Sequence, residues 1–275
     1  MGQPRKSSQT QAKNRQKITS LGGLDDFLQA RCLRPPRSYE QQEPRGTMVV
    51  PKHILGTFDD ALTSLRKDLL MMAGLAERSL DRAIKGLLQR DDDLCTHAIA
   101  DDEEIDQLEK QIDKDGFEIL LRYQPVASDL RRVISAIKLS PNIERVGDQA
   151  TNIAKRARKL NRHPPLPEVQ MIVPIQAHAM SMFKDSINAF ARENVELAHS
   201  VCSRDKQLDD MNRDANRKLT ELMMEDREQL RGYFNLILIS RALERVGDHA
   251  TNIAEDAVYA AAAEDIRHKS LAASV

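Results

Sequence analysis

The sequence predicts an all-α protein built as two tandem three-helix bundles, six long helices in a pseudo-repeat. Three observations carry that expectation. Residues 144–154, ERVGDQATNIA, return almost unchanged as residues 244–254, ERVGDHATNIA, with Gln149/His249 the single difference. A repeat this close inside one chain marks two copies of one structural unit. Apolar residues recur at helical spacing through most of the sequence after Phe58. Aromatics make up only 4% and Trp is absent, so the core must come from Leu, Ile, Ala, Val and Met packed helix on helix.

Residues 1–47 precede the periodic region and are rich in Gln, Ser, Arg, Lys and Pro. Their few large apolar side chains cannot offset the entropy of ordering, so they read as a disordered or non-native extension ahead of Met48. The first bundle is expected over 48–162 and the second over 163–275. From Phe58, Leu62, Leu65, Leu69, Met72, Ala76, Leu80, Ala83 and Leu87 form one apolar stripe. Asp91-Asp92-Asp93 offers N-caps to a second helix carrying Ala98, Ile105, Ile112 and Ile119. Tyr123-Gln124-Pro125 ends it, and Ser128-Asp129 opens a third that runs to about Leu160. Asn161-Arg162-His163-Pro164-Pro165-Leu166-Pro167 is a linker. Helices over about 168–192, 195–223 and 227–261 repeat the plan, at an offset of 103 residues in the first two and 100 in the third.

Charge and cysteine content exclude several classes. The net charge of −1 combines a basic segment, with nine Lys/Arg against four Asp/Glu in residues 1–47, with an acidic remainder. The folded part is therefore a poor match for nucleic acid. Cys32, Cys95 and Cys202 are odd in number and far apart, as expected of reduced thiols in a cytoplasmic protein. No apolar run reaches the ~20 residues that cross a bilayer. No P-loop, nucleotide fingerprint or G-x-S-x-G is present, and the two Glu-x-x-His motifs of di-iron bundle enzymes are not met, since only Glu196–His199 has that spacing. An enzyme is not expected, and no catalytic residue or organic cofactor is assigned.

The chemistry concentrates in the repeated segment. In E-x-x-x-D-x-x-x-N, the four-residue spacing puts Glu144, Asp148 and Asn152 on one helix face, and likewise Glu244, Asp248 and Asn252. The second helix of each bundle adds Asp102 with Asp106, and Asp205 with Asp209. Like charges at i, i+4 repel by a few tenths of a kcal/mol and persist only where something neutralises or solvates them. Two readings stay open from the residues alone. The rows are metal ligands for hard or borderline cations such as Mg²⁺, Mn²⁺, iron or zinc, or they are a surface feature, either paired with Arg131, Arg145, Arg156 and Arg245 as salt bridges or simply solvated. Pro141 frees the carbonyl of Ile137, a further candidate oxygen. Gly147 and Gly247 point to close approach by another helix or a ligand. His249 is expected to have a surface or packing role rather than to ligate, because its counterpart is Gln149.

The run RYQPVASDLR at 122–131, followed by the two ERVGDxATNIA segments, resembles the PhoU family of bacterial phosphate-uptake regulators over roughly residues 50–262. The resemblance implies two tandem three-helix bundles assembled as a homodimer. It also implies a cytoplasmic adaptor that restrains phosphate uptake and the phosphate-starvation response. The implied partners are the ATPase subunit of a phosphate ABC transporter and a phosphate-sensor histidine kinase, so the membrane is met only through partners. The family's metal motif transfers to Asp102, Asp106, Glu144 and Asp148, and to Asp205, Asp209, Glu244 and Asp248. Rival expectations are an accessory subunit of another phosphate permease, or a metal-dependent hydrolase.

Overall fold

The computed structural model describes residues 52–267, with side chains from residue 56. The extension read over residues 1–47, and Cys32 within it, lie outside the described residues. Six long helices follow in order: α1 (Lys52–Leu88), α2 (Asp92–Tyr123), α3 (Ala127–Asn161), α4 (Ile172–Arg192), α5 (Val195–Glu225) and α6 (Leu230–Ala262). A short 3-10 helix over Pro167–Met171 precedes α4, where the pattern had predicted α-helix. Pro167 sits in its first turn, where a missing N–H is harmless.

Several predicted boundaries have a local cause, although the starts of α3, at Ala127 rather than Ser128-Asp129, and of α6 carry no side-chain cap. The Asp91 carboxylate accepts from the backbone N–H of Asp93 and Leu94 at 2.9 and 3.0 Å, capping α2. Asn194 caps α5 in the same way through Leu197 N at 2.9 Å. Gln124 and Glu193 close α2 and α4 in the left-handed region, and Pro125 prevents the first of these from continuing. Every residue of the α1 stripe is buried except Leu62, which is half-buried. Burial of one such Leu is worth about 2 kcal/mol, so the stripe fixes which face of α1 meets α2 and α3.

Helices α1–α3 pack on one another, as do α4–α6, and the two bundles join chiefly through α3 against α6. That seam is antiparallel. Lys138 lies 3.8 Å from Asp256 and stacks 5.2 Å from the Tyr259 ring centroid. One turn on, Asn142 Oδ1 meets His249 Nδ1 at 3.2 Å and accepts from the Asn252 side-chain amide at 3.3 Å. The one change in the repeated segment therefore falls on the inter-bundle seam, in a packing role. Small residues at Ala150, Ala154, Ala157, Ala250, Ala254 and Ala257 are all buried, and they suit two helices that face both their own bundle and the other.

The repeat extends to an ion pair with its polarity reversed. In the first bundle Asp101, only 8% exposed, receives Arg82 at 2.8 Å and Arg78 at 2.9 Å. At the offset of 103, Asp101 becomes Arg204, Arg82 becomes Asp185 and Arg78 becomes Ser181. Arg204 donates to Asp185 at 2.7 Å and to Ser181 at 3.1 Å. The same helix-to-helix contact is kept with donor and acceptor exchanged.

Candidate functional site

Gly147 and Gly247 let the acidic rows of neighbouring helices come together. A Cβ on Gly147 would meet Ile105 Cδ1 at 2.9 Å, and one on Gly247 would collide with Leu208. Ile105 and Leu208 are repeat counterparts on α2 and α5. The glycines thus set α3 close to α2 and α6 close to α5. Their cost of about 1 kcal/mol in helix propensity is offset by that approach. Asp102 and Asp106 flank Ile105 on α2, so the closeness of the helices brings them beside Glu144 and Asp148.

Electrostatics shows which carboxylates share a site. Burial, then Asp148, Glu109 and Asp106, push the Glu144 carboxyl up to about 7, with Arg145 pulling the other way. In the second bundle, burial followed by Asp205, Glu244 and Asp209 pushes Asp248 up to about 6. Asp102 and Asp205 are raised as well, first by burial. Crowded carboxylates in a half-buried groove disfavour one another's charge. All eight predicted residues fall within these two clusters, four in each.

The salt-bridge alternative is absent here. Among the described residues, none of the eight carboxylates makes an ion pair with Arg or Lys. Arg145 and Arg245 act only at longer range. Equally, among the described residues, no group of three or more His, Cys, Asp or Glu side chains is gathered tightly enough to hold a metal ion. The donor set is oxygen only, without ion-pair partners and mutually repelling, which is chemistry that hard cations accept; Asp148 and Asp248 are exposed and the other six carboxylates half-buried.

Several details differ from the sequence expectation. Thr151 and Thr251, rather than Asn152 and Asn252, join the rows: their hydroxyls donate to Asp102 at 3.1 Å and Asp205 at 3.2 Å. Asn152 is exposed, and Asn252 gives its amide to the seam. The carbonyl freed by Pro141 is not offered to the site, because Ser140 Oγ donates to Ile137 O at 3.2 Å. Glu109 was missed. It lies one turn beyond Asp106, and its own carboxyl is raised by burial, Asp113 and Asp106. The i, i+3 step from Asp106 was the available signal, and the second bundle obscured it by carrying Asn212 there.

With this geometry in view, comparison with known proteins is direct. The model of the PhoU domain matches twice, over residues 69–157 and 173–257, once per bundle. The chain belongs to the PhoU family. A PhoU relative from Pseudomonas putida, described as a phosphate-specific transport system accessory protein PhoU homolog, is 39% identical over 220 residues, covering 80% of this chain and 86% of the relative. A Pseudomonas aeruginosa relative of the same description is 38% identical, covering 80% and 91%. The crystal structure of PhoU from Pseudomonas aeruginosa superimposes with a TM-score of 0.73 at 37% identity, over 75% of this chain and all of that one. The phosphate transport system regulatory protein PhoU from Streptococcus pneumoniae gives 0.70 at 27% identity, over 76% and 98%. The PhoU matches cover both acidic rows.

Proposed function

We propose that this protein is a non-enzymatic accessory and regulatory component of a phosphate transport system. In that role it acts in the cytoplasm as a negative regulator of phosphate uptake and of the phosphate-starvation response. It would do so by linking the ATPase subunit of a phosphate ABC transporter to a sensor histidine kinase, as a homodimer. The observation that carries the reading is the match to phosphate-transport accessory proteins at 38–39% identity along both bundles. Consistent with it, among the described residues no helix is long and apolar enough to cross a membrane, so a membrane transporter would be met through its own subunits.

The acidic rows enter the proposal as cation sites. Asp102, Asp106, Glu144 and Asp148 would hold one set, and Asp205, Asp209, Glu244 and Asp248 the other, with Glu109 a further candidate in the first. A bound Mg²⁺, Mn²⁺, iron or zinc ion would supply charge neutralisation to each row. The residues' own contribution is to present unpaired oxygens from two helices that Gly147 and Gly247 bring together. Thr151 and Thr251 orient Asp102 and Asp205.

Deleting the gene tests the regulatory reading. Phosphate-starvation genes should then be expressed in phosphate-rich medium. Normal repression in the deletion strain would defeat the negative-regulator role, and altered phosphate uptake alone would favour the accessory subunit of another permease.

A further inference from the structure

Duplication gives nearly every position a counterpart, so charge differences between the copies mark where the bundles have taken different tasks. One such difference that lines a cleft lies at the outer end of the second acidic row. Asp209, Asn212, Arg213 and Asn216 fall at i, i+3, i+4 and i+7 on one face of α5. Across from them, Arg241, Glu244 and Arg245 share a face of α6. Together they line a cleft of about 460 Å³, far more than the ~30 Å³ share of one water. Three arginines stand there against two carboxylates. At the first-bundle counterparts the balance is reversed: Asp106, Glu109, Asp113 and Glu144 against Lys110 and Arg145, with Pro141 in place of Arg241. Three of the exchanges, Glu109 to Asn212, Asp113 to Asn216 and Pro141 to Arg241, move the cleft in the same direction, toward positive charge.

The cations in the cleft are available. Arg241 and Arg245 make no ion pair with any described residue. Arg213 is held only by Asp210 of its own helix at 2.7 Å, an exposed pair worth little. The floor is fixed by contrast. Asn212 is 4% exposed, and its carbonyl oxygen accepts from Ser240 Oγ and from the Asn216 amide at 3.1 Å. With its acceptor occupied, Asn212 has only N–H donors to offer. Asn216 Oδ1 is sealed from solvent and has no donor.

We infer that this cleft binds inorganic hydrogen phosphate. Guanidinium forks match tetrahedral oxyanions bidentately, and Arg241 with Arg245 presents two of them from adjacent turns. In the metal-free protein, where no cation occupies them, Asp209 and Glu244 then supply the selectivity. A carboxylate repels a fully ionised oxyanion such as sulfate but accepts a hydrogen bond from an acid P–OH. Inorganic phosphate keeps such a proton at neutral pH. A phosphate monoester, whose second pKa is about 6, has mostly lost its own. The mixed charge of the cleft is thus matched to inorganic phosphate rather than to anions in general. The inference stands apart from the regulatory reading, because binding is read on the purified protein.

Titration calorimetry on the full chain in chelator, with phosphate, sulfate and glycerol phosphate as separate probes at pH 7.5, tests this. Phosphate should bind, with sulfate and the monoester weaker by about tenfold or more. Arg241→Ala and Arg245→Ala should each weaken phosphate binding about tenfold while circular dichroism stays helical. The first-bundle pair Lys110→Ala and Arg145→Ala should leave it unchanged. No heat at millimolar phosphate, equal affinity for sulfate, or phosphate binding that appears only on adding metal would each overturn the inference.

Discussion

Replacing Glu144 with Gln should stabilise the metal-free protein, and the gain should grow with pH. The Glu144 carboxyl is held up to about 7 against 4.5 for the free group. An acid raised in this way favours the fold when protonated. The penalty on the fold is therefore absent well below pH 4.5, develops as pH rises through the 4.5–7 window, and is complete above 7. The whole shift corresponds to about 3 kcal/mol, reduced to about 1–2 kcal/mol because the partly exposed side chain is screened by water. At about 2–4 °C per kcal/mol for a domain of this size, Glu144→Gln should melt about 2–8 °C above the wild type at pH 8 in chelator. At pH 5 about a quarter of that gain should remain. Melting curves by circular dichroism at pH 5, 6.5 and 8 provide the check. A Gln variant that is less stable at pH 8, or equally stabilised at every pH, would show that the first row is not a repelling cluster.

Asp148→Ala combined with Asp248→Ala should lower metal content per chain while helicity is kept. Metal at a hundredfold its dissociation constant should stabilise the wild type by about 2.7 kcal/mol per site and the double variant much less; identical melting with and without Mg²⁺, Mn²⁺ or iron would dismiss the cation sites. His249 is lowered by burial, Arg145 and Arg245, so its neutral ring suits the fold and stability is lost as pH falls below 6.5. His249→Gln, which copies its counterpart Gln149, should remove that acid sensitivity with little change in melting temperature at pH 7.5. Asp101→Ala leaves Arg82 and Arg78 without their acceptor and should cost about 1–3 kcal/mol in denaturant unfolding. The triple exchange Arg78→Ser, Arg82→Asp and Asp101→Arg, which copies the second bundle, should recover most of it.

The helices were legible because their signals are local. Capping by Asp91, the stop at Pro125 and the apolar stripe of α1 each depend on residues a few positions apart, and each stands where the sequence puts it. The carboxylates were legible for the same reason, since i, i+4 spacing fixes a helix face. What joined them was not. Thr151 and Asn152 differ by about 100° around α3, and only the seating of Gly147 on Ile105 decides which of them faces Asp102. The fate of the Ile137 carbonyl turned on the Ser140 rotamer, which no spacing rule specifies. The α3–α6 seam was hidden because alanines facing another bundle look the same as alanines facing their own.

Features present in both bundles indicate what the shared architecture requires, and features that differ indicate what it tolerates. The Gly–Ile and Gly–Leu approaches and the two Thr–Asp hydrogen bonds recur at matching positions, so helix closure and carboxylate orientation belong to the common plan. The Asp101 and Arg204 pairs meet the same steric and electrostatic need with opposite signs, so that contact demands complementarity and not a particular charge. The exchange of Glu109 and Asp113 for Asn212 and Asn216 is of another kind. It removes two negative charges without altering the helix, and beside it Pro141 gives way to Arg241, which no packing need explains at an exposed position. A duplicated frame kept rigid by its shared contacts is free to vary charge at the rim, and the second cleft is one place where this chain has varied it.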